Sequence, residues 1–274
     1  MLNYNTTMSY LKKIGFYFCI CYLPAPALLA DTVIDASLRL LHFDYEEFDQ
    51  SGATFNKETG VIPGFSIAAS KKLNHFTNTL SFESYDGEVD YDGQLQSGAP
   101  HMTQTQETLN RVLYKLNWSP NNNNNSIFGK IAWQQWDRDI LPTKSVSGLF
   151  EQYEWWAIEI GFLATIYENN TSRWQFELGI SKIDNGTIEI DLIDQGFGQP
   201  KLELGDGQGV AAQLIYRHTF MSSNALSISL QHQRWTFGRS NTESISNGFN
   251  TFEITEPRSE SIHSILSFNF HHYF

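Results

Sequence analysis

Two aspartate pairs, Asp90-Tyr91-Asp92 and Asp137-Arg138-Asp139, are the residues of this chain whose spacing could do chemistry. Each pair sets two carboxylates on either side of a single residue, in segments expected to be long connections. Such a pair can hold and polarise a water, but general-base work near neutral pH also wants an imidazole. His101 is the histidine nearest in sequence to either pair. A second grouping, His263-Ser264 with His232 near Arg234, combines a hydroxyl and an imidazole, the residue types of nucleophilic catalysis. It has no motif spacing, and its plainer reading is polar strand residues near a rim. Gly205-Asp206-Gly207-Gln208-Gly209 lacks the Lys-Ser/Thr of a phosphate loop. His271 and His272 stand beside the terminal Phe274, apart from these groups, and are not read as metal ligands.

The elements that must position these residues are strands. Trp174, Phe176, Leu178 and Ile180 alternate with polar neighbours, and Leu266, Phe268, Phe270 and Phe274 alternate with Ser267, Asn269, His271 and Tyr273. A period of two with one apolar face marks strands whose two sides meet different media. Strands are expected near 33–45, 59–71, 75–88, 105–118, 126–138, 151–167, 172–190, 207–220, 224–238 and 260–274. Short connections such as Lys72-Leu73-Asn74, Asn169-Asn170-Thr171 and the low-complexity Asn121–Asn125 run alternate with long ones. The expected fold is therefore all-β: a transmembrane antiparallel up-and-down β-barrel of about ten strands. Trp118, Trp133, Trp136, Trp155, Trp156 and Trp174 are read as interfacial girdle residues.

Residues 1–30 read as a signal peptide, with Lys12 and Lys13 ahead of an apolar stretch and small residues, which leaves 31–274 as the barrel domain. Both cysteines, Cys19 and Cys21, fall inside the signal, so the mature chain has no disulfide or thiolate site. Removing the signal leaves 16 Lys and Arg against 30 Asp and Glu, a formal charge of −14, which argues against a nucleic-acid partner.

With Leu266, Phe268 and Phe270 alternating ahead of a terminal Phe274, the chain resembles Gram-negative outer-membrane β-barrel proteins, whose last strand is their assembly signal. His272 departs mildly from that pattern. The resemblance implies an address in the cell outer membrane after export, and as partners the barrel assembly machinery, outer-membrane lipid and lipopolysaccharide. The size and strand count are also similar to the ten-stranded omptin proteases, which set an Asp-x-Asp pair against an Asp-x-His pair. Segment 183–206 contains no histidine, so the second half-site is missing. Barrel enzymes that trim lipid A need a histidine with a serine and an acid, or a calcium-assisted variant, at the lipid-facing surface, and only the His263-Ser264 and His232 groupings suggest one.

Inward positions are expected to include Arg39, Arg111, Lys115, Lys130, Arg173 and Arg217, with Glu83, Glu159 and Glu177 as partners. In a barrel this narrow they read as a salt-bridged plug, with a narrow anion-favouring channel as the alternative. Outer loops are expected at 44–58, 86–107, 137–151, 183–206 and 239–260, and hold 23 of the 30 acids. They read as a solvated acidic crown facing an unknown extracellular ligand, able to attract divalent cations, with no other cofactor. The functional expectation is a non-enzymatic surface, binding or structural barrel. The alternatives are an outer-membrane hydrolase, with Asp90, Asp92, Asp137, Asp139 and His101 as candidate catalytic residues, or a narrow channel.

Overall fold

The period-two pattern folds into thirteen strands in a computed structural model that describes residues 31–95, 98–120 and 125–274. The expected signal segment, with Lys12, Lys13, Cys19 and Cys21, and residues 121–124 of the asparagine run lie outside the described residues. The strands are β1 (Thr32–Phe48), β2 (Thr54–Leu73), β3 (Phe76–Gln94), β4 (Pro100–Trp118), β5 (Ser126–Ile140), β6 (Leu149–Glu168), β7 (Ser172–Asp191), β8 (Lys201–Glu203), β9 (Gly207–Met221), β10 (Asn224–Phe237), β11 (Thr242–Ser246), β12 (Thr251–Thr255) and β13 (Arg258–Tyr273). Ten of them, β1–β7, β9, β10 and β13, pair antiparallel with their neighbours, and the β1–β13 ladder closes the ring. The expected all-β class, ten-strand count and up-and-down order are those of the structure. β8 is a short addition to the upper part of β7, and β11 with β12 forms a separate hairpin.

The expected long outer loops are corrected. β1 continues to Phe48 and β2 starts at Thr54, so only residues 49–53 connect them, and residues 95–99 alone connect β3 to β4. Strands of 14 to 20 residues exceed the roughly 9–11 that cross a bilayer, so the wall projects well beyond the apolar zone. The physical reason is that alternation persists past the lipid-facing part, because inward side chains there are buried too.

Outward residues define an apolar belt. Leu38 and Leu40 on β1, Phe65 and Ile67 on β2, Ile158 and Ile160 on β6, Leu226 to Leu230 on β10 and Phe268 and Phe270 on β13 are exposed apolar side chains. A water-facing wall would not carry so many, whereas a lipid-facing one requires them. Trp118, Trp156 and Trp174 are exposed on this face, and Trp133 is paired across from Trp156. Trp136 and Trp155 are corrected: they point inward and are buried in the core. Above the belt the same face turns polar, through His42 and Asp44 on β1, Asp86 to Asp92 on β3, and Asp137 and Asp139 on β5.

Two local devices are worth their residue types. Asn74, at φ 55, makes the tight β2–β3 turn, a conformation asparagine tolerates. Gly161 and Gly179 face each other on β6 and β7. A Cβ on Gly179 would sit 2.3 Å from Glu159 Oε1, so the missing side chain makes room for a lumen charge.

Candidate functional site

The lumen is filled from the short-turn end upward. Lys130 lies 2.8 Å from Glu159 and 2.7 Å from Glu177, and Lys115 pairs with the same Glu177. Above them Arg39 lies 2.6 Å from Glu83, with Arg111 3.9 Å from the same carboxylate. Arg173 instead pairs with Glu168 at the short-turn rim, and Arg217 donates to Tyr273 at 3.4 Å. The next layer is aromatic: Trp136 stacks on Tyr153 at 4.5 Å, and Phe43, Tyr45, Trp155 and Trp235 are buried around them. Between the two layers a cavity of about 20 Å³ remains, enough for one water.

The uppermost layer is one the sequence reading missed. Arg138 is 2% exposed and lies 2.6 Å from Glu151, 2.9 Å from Glu47 and 3.0 Å from Glu58. Glu107 and Glu256 are buried in the same cluster, so five glutamates from five parts of the chain surround one guanidinium. Trp136 donates its indole N–H to Glu107, Thr105 donates to Glu58 at 2.7 Å, and Tyr153 donates to Glu256 at 2.8 Å. These residues alternate with outward polar ones and lie above the belt. Burial, with Glu58 beside it, pushes the Glu107 carboxyl well above its ordinary value. Burial does the same to Glu256, reinforced by Glu47 and Glu151. Burial works against the charge on Arg138, but Glu58, Glu151 and Glu47 outweigh it. The cluster is a closed plug holding neutral and charged carboxyls together. It corrects the expected solvated crown in part: Glu47, Glu58, Glu107, Glu151 and Glu256 face in, while Asp86, Asp90, Asp92 and Glu243 stay exposed.

The aspartate pairs do the opposite. Asp90 and Asp92 point outward from β3, with buried Tyr91 between them, and Asp137 and Asp139 point outward from β5, with buried Arg138 between them. Asp137 accepts hydrogen bonds from Gln135 and Gln152. His101 faces inward, its ring 5.9 Å from that of Tyr91. The wall therefore separates the histidine from both pairs, and the mouth holds no carboxylate–imidazole constellation among these five residues. Parity carries a readable signal here: Leu80 and Phe82 share the even face of β3 with Asp90 and Asp92.

The serine–histidine groupings separate in the same way. His263 is buried against Phe43 and Trp235, with Ser261 at 3.0 Å. Ser264 is on the opposite, outward face, with its Oγ 3.0 Å from Nδ1 of His232. The sequence neighbours are thus not a pair, and residues 32 apart are. His271 contacts Asp35 and Ser227, and His272 contacts Asn224. No group of three or more metal-ligating side chains is found among the described residues. Leu266, Phe268, Phe270 and Phe274 line the lipid-facing side of the last strand.

No protein-family model matches the chain, and no curated protein matches it in sequence. Among solved structures, the outer membrane protease OmpT from Escherichia coli is similar over 89% of this chain and 96% of that one, at 9% identity and a TM-score of 0.61. The translocator domain of the autotransporter NalP from Neisseria meningitidis covers 89% of each chain at 9% identity, with a TM-score of 0.46. Likeness at this identity is a likeness of fold: the chain has the closed antiparallel barrel of outer-membrane proteins.

Proposed function

We propose that this protein is an integral barrel of a Gram-negative outer membrane, closed to solutes along its axis and working from its outer surface. The observation that carries the reading is the filled lumen, where ion pairs, stacked aromatics and the Arg138 cluster follow one another with room for about one water between layers. A narrow channel is the weaker reading, because the pairs Lys130–Glu159, Lys130–Glu177, Arg39–Glu83 and Arg138–Glu151 stand in the path and would have to be separated to let an ion through. Hydrolysis by the aspartate pairs is weaker too, since they face away from the mouth. The apolar belt supports the membrane address. Recognition then belongs to what the wall presents outside: the acidic outer stretch of β3 to β6, and the β11–β12 hairpin with Phe249 exposed at its tip.

The test is planar-bilayer recording on the refolded barrel, with fractionation of cell envelopes alongside. The expected result is recovery with the outer membrane and no unitary conductance. Steady ion currents removed by blocking the mouth would overturn the closed-lumen reading.

A further inference from the structure

The first polar row above the belt crosses β1, β13 and β10 at His42, Ser264 and His232, which are direct cross-strand partners. Leu40, Leu266 and Leu230 form the apolar row just below them in the same ladders. Ser264 Oγ is 3.0 Å from His232 Nδ1. On the other flank of the serine, His42 Nδ1 is 3.0 Å from Asp44 Oδ2, with side chains 54% and 28% exposed. Arg234, two residues up from His232, pairs with Glu260 at 2.6 Å.

Beside this row lies a depression of the wall of about 960 Å³, across β6, β7, β9 and β10. Ile158, Ile160, Ile180 and Val210 line it, and Lys182 and Arg234 stand at its polar edge, with Asp206 as the acid there. Its origin is a fork in the sheet. Below Asp184, β7 pairs with β9 through Ile183 and Gly207, while above it Thr187 pairs with Glu203 on β8.

We propose that Ser264 and His232 form an esterase site on the outer wall, taking a long-chain acyl ester on a phosphate-bearing head from the surrounding leaflet. The inference rests on the outer-membrane reading, which brings the substrate in sideways. The acyl chain lies along the isoleucine-lined depression, and Lys182 and Arg234 meet the phosphate. His232 takes the Ser264 proton as Oγ bonds to the ester carbonyl carbon, and the alcohol leaves with that proton. Water then attacks the acyl-serine, giving its proton back through His232, and a free fatty acid departs with Ser264 restored. His42, oriented by Asp44, is the side-chain donor in the adjoining position for the carbonyl oxygen. A hydrogen-bonded Ser–His pair alone is common on strands. The second imidazole, its aspartate and the adjoining chain-sized depression make this row a site.

The experiment offers the refolded mature barrel lipid A in one set of mixed micelles and phosphatidylglycerol in another. Released fatty acid is read by mass spectrometry, and a fluorophosphonate probe reads serine reactivity. Wild type should release fatty acid and take the probe on Ser264. Ser264→Ala should do neither, and His232→Ala should be slower by about 10²- to 10⁴-fold. Val210→Trp, which fills the depression, should abolish long-chain cleavage while leaving probe labelling intact. Which arm gives product identifies the lipid source. A barrel with folded, heat-modifiable gel mobility that neither labels nor releases fatty acid overturns the esterase site and leaves the membrane reading standing. Recovery of the protein outside the membrane fraction overturns both.

Discussion

Arg138 Nε lies 3.0 Å from Oε1 of Glu58, a glutamate with no exposed surface at all. The pair joins β5 to β2 across the barrel mouth and is the centre on which the other glutamates converge. A lone guanidinium among five buried carboxyls is a commitment the chain cannot lose cheaply.

Arg138→Met should therefore destabilise the barrel by about 3–5 kcal/mol, because the partners are left buried and uncompensated. Arg138→Lys should recover only part of the loss, since an ammonium cannot reproduce the planar fork. Thermal loss of the heat-modifiable gel form measures both.

Glu107 gives the pH dependence its sign. Its carboxyl is raised by burial and by Glu58, so the folded protein keeps a proton that the unfolded chain gives up near its ordinary value of 4.5. Its contribution is fully present below about pH 4.5 and is lost as the pH climbs toward the folded value. Glu107→Gln should remove that loss. The melting temperature of the variant should gain on wild type as the pH rises above about 4.5, and a constant difference between about pH 5 and pH 9 would contradict the assignment.

Gly179 tests the lower plug. A Cβ there meets Glu159 Oε1 at 2.3 Å, so Gly179→Ala must push that carboxylate off Lys130. The expected cost is about 1–3 kcal/mol. Pairing the change with Glu159→Gln should cost less than the two changes summed, because both act on one contact.

The last strand carries a prediction about assembly. Phe274 is exposed beside His272, with ring centroids 4.5 Å apart, and extends the lipid-facing row of Phe268 and Phe270. Removing Phe274 should lower the amount of protein recovered with the outer membrane while leaving total synthesis unchanged, measured by immunoblot of fractionated envelopes.

The chain alone determined the strands, because a period of two is a local property: Leu266, Phe268 and Phe270 announce their face without reference to any partner. The count of ten and the inward parity of Lys130, Glu159 and Glu177 follow from the same rule. Applied to the end of the expected 126–138 strand and one residue beyond, it also turns Asp137 and Asp139 outward and Arg138 inward, but charged residues past the belt read as loop. Only the closed ring decided which inward charges meet, since Glu47, Glu58, Glu107, Glu151 and Glu256 reach Arg138 from strands and a loop that the register brings together. The same holds on the outer wall. Ser264 is adjacent in sequence to His263 yet faces away from it, and meets His232 because the β10–β13 ladder sets them side by side. Parity belongs to one strand, whereas neighbourhood across strands belongs to register, and register is set by pairing over the whole barrel.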